Sequence, residues 1–239
     1  MNVRPCFQRL RKLIYHSGLP FAWPAPFGLS RLLIRLLRSS QGVLHVGANS
    51  GQERFLYHYL QKPVLWIEPD RDSFRRLSAN IRPLRGQKAI RALCWSRAGV
   101  RLPFHQTSNN GLSSSVYPLA KHLQLWPGVK PAGKVVMTTQ TLDGLLFAKR
   151  RDALPYDTLI LDTQGSELQI LAGAGKTLKN ITTIICEACN FEAYRGGCRA
   201  SQVKKFLHQH GWKLLQSLPV WQAGTKAYFE LLFQKQTED

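Results

Sequence analysis

Val43-Leu-His-Val-Gly-Ala-Asn-Ser-Gly51 is a short apolar run that ends in a glycine-spaced turn. A helix is expected to follow from about Gln52 to Leu60. Glycine has no Cβ and tolerates positive φ, so such a turn lets backbone come close to a ligand. Phe55, Leu56, Tyr59 and Leu60 share one helical face in this pattern, which would pack the helix back on a sheet. The next apolar run, Val64 to Ile67, ends at Glu68, about 20 residues beyond Gly47, the distance at which nucleotide-binding βαβ units carry an acid for a ribose.

Spacing narrows the ligand. A dinucleotide fingerprint requires glycines at 47, 49 and 52, but Asn49 and Gln52 stand there. A phosphate loop of the Walker type fails as well, since no Gly-Lys-Ser/Thr follows. Gly-x-Asn-x-Gly with Glu68 suits a nucleoside ligand without a pyrophosphate, S-adenosylmethionine among them. A tight turn with no ligand is the plainer alternative.

The chain of 239 residues has room for one α/β domain with a good core. An apolar content of 44% and six tryptophans set it apart from disordered sequences. Cys6, Cys94, Cys186, Cys189 and Cys198 show no paired metal spacing; Cys186 and Cys189 form a lone Cys-x-x-Cys. Their odd number and the position of the pair at the end of an expected buried strand suggest reduced thiols in a cytoplasmic protein with no metal; a metal or redox role is the alternative. The net charge of +19 attracts phosphate-rich partners, whether nucleic acid, anionic lipid or a phosphorylated substrate.

That charge is uneven: residues 1–40 hold seven Lys or Arg and no acid. They read as a basic, partly helical extension preceding a domain over 41–239. Pro20, Pro24 and Pro26 interrupt the most apolar part, unlike a signal peptide. No run approaches the roughly 20 apolar residues that span a bilayer. Amphipathic pieces are expected around Phe7 to Tyr15 and Leu29 to Leu37, the second with Arg31, Arg35 and Arg38 on one face. A solvated helix packed on the domain is the bland expectation; peripheral contact with the anionic inner face of a membrane is the sharper one.

Further along, Phe74, Leu77 and Ile81 keep helical spacing, and Lys88 to Trp95 reads as a third strand. Periodicity fails between Ser96 and Thr139, where Val100–Phe104 and Lys134–Thr138 look like short strands around a functional or mobile loop. Thr141 and Asp143 offer a helix start for Leu142 to Lys149. Asp157 to Asp162 is the fourth main strand, followed by Gln164-Gly165 and a helix carrying Ile170, Leu171, Ala174 and Leu178. Ile181 to Glu187 is the fifth. A helix through Val203, Phe206 and Leu207 ends at Gly211, and Trp212–Leu218 with Lys226–Gln234 form a closing hairpin. The class is α/β: a Rossmann-like, seven-stranded mixed sheet with helices on both faces and an antiparallel edge.

Open α/β sheets hold ligands at the carboxyl ends of their strands, which singles out Asp162. It is either an active-site acid or a cap on the following helix. Glu187 and Gln164 can line the same crevice, and Glu167 falls in the helix's first turn. His105, in the irregular region, is the histidine best placed to act as a base, against the plainer view of a surface side chain. Ser113, Ser114 and Ser115 shape an acceptor pocket or a plain polar loop.

The ordered motifs resemble FkbM-type methyltransferases: His45-Val-Gly-Ala-Asn-Ser-Gly-Gln-Glu53, Leu65-Trp-Ile-Glu-Pro69, Leu77-Ser-Ala-Asn-Ile81, Ser108-Asn-Asn-Gly-Leu-Ser-Ser-Ser115, Thr141-Leu-Asp143, Leu161-Asp-Thr-Gln-Gly-Ser-Glu-Leu168, Cys186-Glu187 and Tyr194-Arg-Gly-Gly-Cys198. The likeness runs from about Gln41 to the C-terminus. It implies the class I methyltransferase fold with S-adenosylmethionine as cofactor. Gly47, Asn49 and Gly51 would then pass close to its methionine and ribose parts, Glu68 would hold the ribose hydroxyls, and Leu93 and Cys94 would border the adenine. Asp162 would lie beside the cofactor as well. Many members carry Asp where His45 stands; His45 points into the core or at the cofactor. The expected reaction is O-methylation of a small-molecule or glycan acceptor, with Asp162 or His105 assisting deprotonation. The competing classes are an RNA-binding or RNA-methylating protein on this scaffold and a noncatalytic member at a membrane surface. Oligomeric state is not legible.

Overall fold

The computed structural model describes residues 30–147 and 155–236. The amphipathic piece expected at Phe7 to Tyr15 lies outside them, as do residues 148–149 at the end of the expected helix. In chain order the elements are α1 (Arg31–Ser39), β1 (Val43–Val46), α2 (Arg54–Tyr59), β2 (Val64–Ile67), α3 (Arg71–Ile81), β3 (Gln87–Ile90), β4 (Leu93–Cys94) and β5 (Arg101–Thr107). There follow α4 (His122–Leu125), β6 (Pro131–Gln140), α5 (Leu142–Phe147), β7 (Thr158–Leu161), α6 (Glu167–Ala172), α7 (Thr177–Asn180), β8 (Thr183–Cys189), α8 (Ala200–Gln209), β9 (Trp212–Ala223) and β10 (Lys226–Lys235).

Seven strands form one sheet in the order β3-β2-β1-β7-β8-β10-β9. The first five are parallel, and β10 and β9 close the edge antiparallel. This is the Rossmann-like, seven-stranded mixed sheet expected from the sequence. All residues of β1, β2 and β7 are buried, as expected of parallel strands covered on both faces. Alternation splits the core in two. Leu44, Val46, Leu65, Ile67, Leu159 and Leu161 pack toward Leu142, Leu146, Ile170, Leu171, Val203 and Leu207 on one face. Val43, Val64, Trp66 and Ile160 meet Leu33, Leu36, Leu37, Tyr57, Leu77 and Ile81 on the other.

Helix α1 belongs to that second layer. Ser30 Oγ accepts from Leu33 N at 3.0 Å, and the buried Leu33, Leu36 and Leu37 leave Arg31, Arg35 and Arg38 exposed. No helix among the described residues is long and apolar enough to cross a membrane.

Four local expectations change. In α2, Phe55 and Tyr59 are 46% and 73% exposed, and the buried residue is Tyr57. Its hydroxyl lies 3.1 Å from His45 Nδ1 and its ring packs on Trp66, so a buried polar pairing sets the rotation of this short helix. The third strand stops at Ile90, and Leu93–Cys94 leaves the large sheet to pair with the end of β6. The irregular region is built as the antiparallel pair β5–β6, longer than the two short strands expected there.

The helix after Gly165 breaks at Gly173, because a Cβ there would stand 2.2 Å from the Trp95 carbonyl. Asp143 restarts it, accepting from Lys176 N and Thr177 N at 2.8 and 2.7 Å. Thus Asp143 caps α7, and Thr141 Oγ1 receives the N–H of Gly144 in its own helix. Gly173→Ala is expected to lower stability by about 1–3 kcal/mol through this overlap, seen as a lower urea midpoint at unchanged slope.

Candidate active site

The carboxyl ends of β1, β2, β4 and β7 surround a cavity of about 720 Å³, part of it open to solvent. Its floor is the turn after β1. Gly47 has φ +86°, and a Cβ on it would lie 1.9 Å from the Asp162 carbonyl oxygen. Only glycine allows β1 and β7 to leave the sheet this close together. Asn49 is also left-handed, at φ 45°, a conformation asparagine tolerates better than most residues.

Glu68 holds this turn from the end of β2. Its carboxylate accepts from Asn49 N at 2.7 Å and from Asp70 N at 2.8 Å. Burial pushes its pKa up to about 7, against the opposing pull of those two N–H groups. Each carboxylate oxygen carries two lone pairs, so further donors from a ligand can be accepted.

Ala92, Leu93, Cys94, Phe104, Val116 and Ile170 give the cavity an apolar wall. The Cys94 thiol is pushed up to about 12 by burial and stays neutral. The loop after β5 closes over this wall: Gly111, Leu112 and Ser114 line it. Asn49 Nδ2 and an Arg76 guanidinium N–H both donate to the Asn110 carbonyl, at 3.0 and 2.9 Å, tying loop to turn.

On the opposite side lies Asp162, whose carboxylate accepts from Gln164 Nε2 at 2.6 Å. Gln164 is left-handed at φ 57°, and its Oε1 accepts from the buried Tyr194 hydroxyl. Glu167 Oε1 accepts from Thr163 N and Gly165 N at 3.0 and 3.1 Å, binding the loop before α6 to the helix's first residue, while Ser166 at the N-cap position makes no side-chain cap bond.

Gly47, Asn49, Glu68, Leu93, Cys94 and Asp162 thus meet in one cavity, with His45 at its base. His45 is also buried in the core, stacked on Trp66 at 4.8 Å between ring centres. Gly51 lies away from the lining; its bare Cα makes room for Leu77, 2.7 Å from where a Cβ would be. Glu187 borders a smaller neighbouring cavity of about 240 Å³ that shares Gln164 with the large one. His105 lines neither, because strand alternation turns Phe104 inward and His105 out. Ser113 and Ser115 also turn from the cavity, toward His122 and the Gln164 carbonyl.

Gln52, Thr163 and Tyr194 join the site without standing out in the sequence as site residues. Of the three, Tyr194 carries the clearest signal, in its Tyr-Arg-Gly-Gly motif.

The sequence profile of the Methyltransferase FkbM domain matches residues 45–215. The chain belongs to the FkbM methyltransferase family. Among curated proteins it is similar to the 2-O-methyltransferase NoeI of Sinorhizobium fredii, 27% identical over 198 residues and 79% of each chain. Among solved structures it resembles M. capricolum TrmK with S-adenosyl-homocysteine, at 12% identity and TM-score 0.48 over 84% of this chain and 67% of that one. It also resembles magnesium protoporphyrin IX methyltransferase of Synechocystis PCC 6803 with bound S-adenosylmethionine, at 11% identity and TM-score 0.49 over 98% and 92%.

An FkbM methyltransferase takes its methyl group from S-adenosylmethionine, and the cavity's chemistry fits that donor. Among the described residues the lining contains Glu53, Glu68 and Asp162 and no Lys or Arg, a setting that favours a sulfonium cation. Gly47→Ala is expected to abolish S-adenosylmethionine binding measurable by calorimetry. If ribose hydroxyls donate to Glu68, a proton on that carboxyl competes with them. Since its pKa is about 7 in the free protein, affinity should weaken about fivefold from about pH 7 to about pH 6. Glu68→Gln should flatten that dependence.

Proposed function

We propose that this enzyme methylates a hydroxyl oxygen on a neutral small molecule, with a sugar or glycolipid as the acceptor class. The observation that carries this reading is the charge of the reaction cavities in a strongly basic chain. Lys and Arg number 33 in the sequence, yet among the described residues none of them lines either cavity, while five carboxylates do: Glu53, Glu68, Asp162, Glu167 and Glu187. Such a lining repels phosphate and accepts hydrogen bonds from hydroxyls. The 2-O-methyltransferase activity in the name of the NoeI relative supports the oxygen acceptor.

S-adenosylmethionine, when bound, supplies a methyl group already activated by its sulfonium. The chain has to align the acceptor oxygen with that methyl, and orientation can supply about 7–11 kcal/mol. Gly47, Asn49 and Glu68 hold the donor side, and Leu93, Cys94 and Phe104 exclude water from one wall. Asp162 receives the acceptor's proton on its carboxylate, an assistance worth about 10²–10⁴-fold.

Asp162→Asn should therefore lower kcat by about 10²–10⁴-fold and leave S-adenosylmethionine affinity within a few-fold. The assay is S-adenosylhomocysteine release against a panel of monosaccharides and simple glycosides. Wild-type turnover in this variant would remove Asp162 as the base. A fall in donor affinity instead would assign it to cofactor binding.

The net charge of +19 supports RNA as a second acceptor class, reached through the surface outside the cavities. Nanomolar, salt-dependent RNA binding together with methyl incorporation into RNA would favour it over the glycan. We take the basic extension to end before Ser30, because Leu33, Leu36 and Leu37 are part of the core. Deletion of residues 1–29 should spare the fold and weaken co-sedimentation with anionic liposomes; equal sedimentation of both forms would end the membrane role.

A further inference from the structure

The Tyr194-Arg-Gly-Gly motif is not used by donor binding, yet it lies against the loop that follows Asp162. The contact is backbone to backbone. A Cβ on Gly165 would lie 3.1 Å from Gly197 Cα, a Cβ on Gly197 would lie 3.3 Å from Gly165 Cα, and Cys198 N donates to the Gly165 carbonyl at 2.9 Å. This contact sets the Tyr194 hydroxyl on Gln164 Oε1. Behind Tyr194, the buried His122 stacks on its ring at 5.4 Å and bridges Ser113 Oγ and the Tyr228 hydroxyl, at 3.0 and 2.9 Å. The tyrosine is thereby fixed from two sides.

Its effect on Asp162 is directional. A primary amide has one donor end and one acceptor end. The Asp162 carboxylate can only accept, so it takes the N–H₂ end of Gln164, at 2.6 Å, and the phenol O–H of Tyr194 holds the acceptor end in place. Rotated by half a turn, Gln164 would set its oxygen against the carboxylate. We propose that Tyr194 is a positioning residue for methyl transfer, anchoring the Gln164 amide so that it donates to Asp162 and holds that side chain at the donor cavity. Burial holds the Tyr194 phenol protonated well above its ordinary range, so it remains a donor at working pH.

The catalytic part of this inference rests on Asp162 being the base, but the relay itself can be tested without an acceptor. Titratable groups surround Asp162 on every side: Glu53 and Glu68 on the cavity wall, Glu167 at the start of α6, Cys186 and Glu187 on β8, Tyr194 and Tyr228 beyond. The experiment follows the ¹³C carboxyl resonance of Asp162 against pH in the ligand-free protein, assigned by its loss in Asp162→Asn. Tyr194→Phe keeps the ring and its packing but removes the donor that anchors the oxygen end of the amide. The Asp162 titration midpoint is expected to rise by about one pH unit, because a hydrogen bond to the charged form is weakened.

Gln164→Leu should give at least the same shift, since it removes the amide altogether. Coincident titrations in wild type and Tyr194→Phe would overturn the relay, as would a shift in Tyr194→Phe that Gln164→Leu does not share. Wild-type turnover in Asp162→Asn is a separate failure: it removes the base and leaves the relay's geometry in place.

Discussion

The distance between two backbones governs this molecule. Where β1 leaves the sheet, Gly47 passes so near the Asp162 carbonyl that no side chain fits between them. Parallel pairing brings the ends of β1 and β7 together, and the missing Cβ lets both turn outward at the same level. The left-handed turn at Asn49, the bond from its N–H to Glu68, and the position of Asp162 across the cavity all follow from that approach. A larger residue at 47 would separate the turn from the strand end that supplies the acid.

Much of this is legible in the sequence because it depends on local rules. Short apolar runs locate the strands, and the glycine spacing with Glu68 suits a nucleoside ligand, while the family motifs are what single out S-adenosylmethionine. What escapes depends on contacts between distant segments. Gly173 looks like an ordinary helix interruption until the Trp95 carbonyl is seen beside it. Phe55 and Tyr59 have helical spacing, but the Tyr57–His45 pairing across 12 residues turns the helix another way. Gly51 carries the same sequence signal as Gly47 and serves the opposite side of the turn. His105 escapes for a simpler reason, since alternation along β5 cannot say which face is inward until its partner strand is known.

Charge is partitioned in a way composition conceals. The surplus of Lys and Arg defines the outer field, while the two cavities are lined, among the described residues, by carboxylates and by neutral polar and apolar side chains. Long-range attraction and local chemistry are therefore set by different residues. Steering acts at distances up to about a Debye length, roughly 8 Å in physiological salt, and recognition acts at hydrogen-bond range.

The shared carbonyl of Asn110 links the covering loop to the donor turn. Asn49 and Arg76 both end on that oxygen, so lifting the loop breaks both bonds together. At about 0.5–1.5 kcal/mol for each hydrogen bond, the open form would hold between about one molecule in six and about one in 160. A ligand passing beneath that loop would draw on this minority population, so the clasp ties access at the covering loop to the geometry of the Asn49 turn.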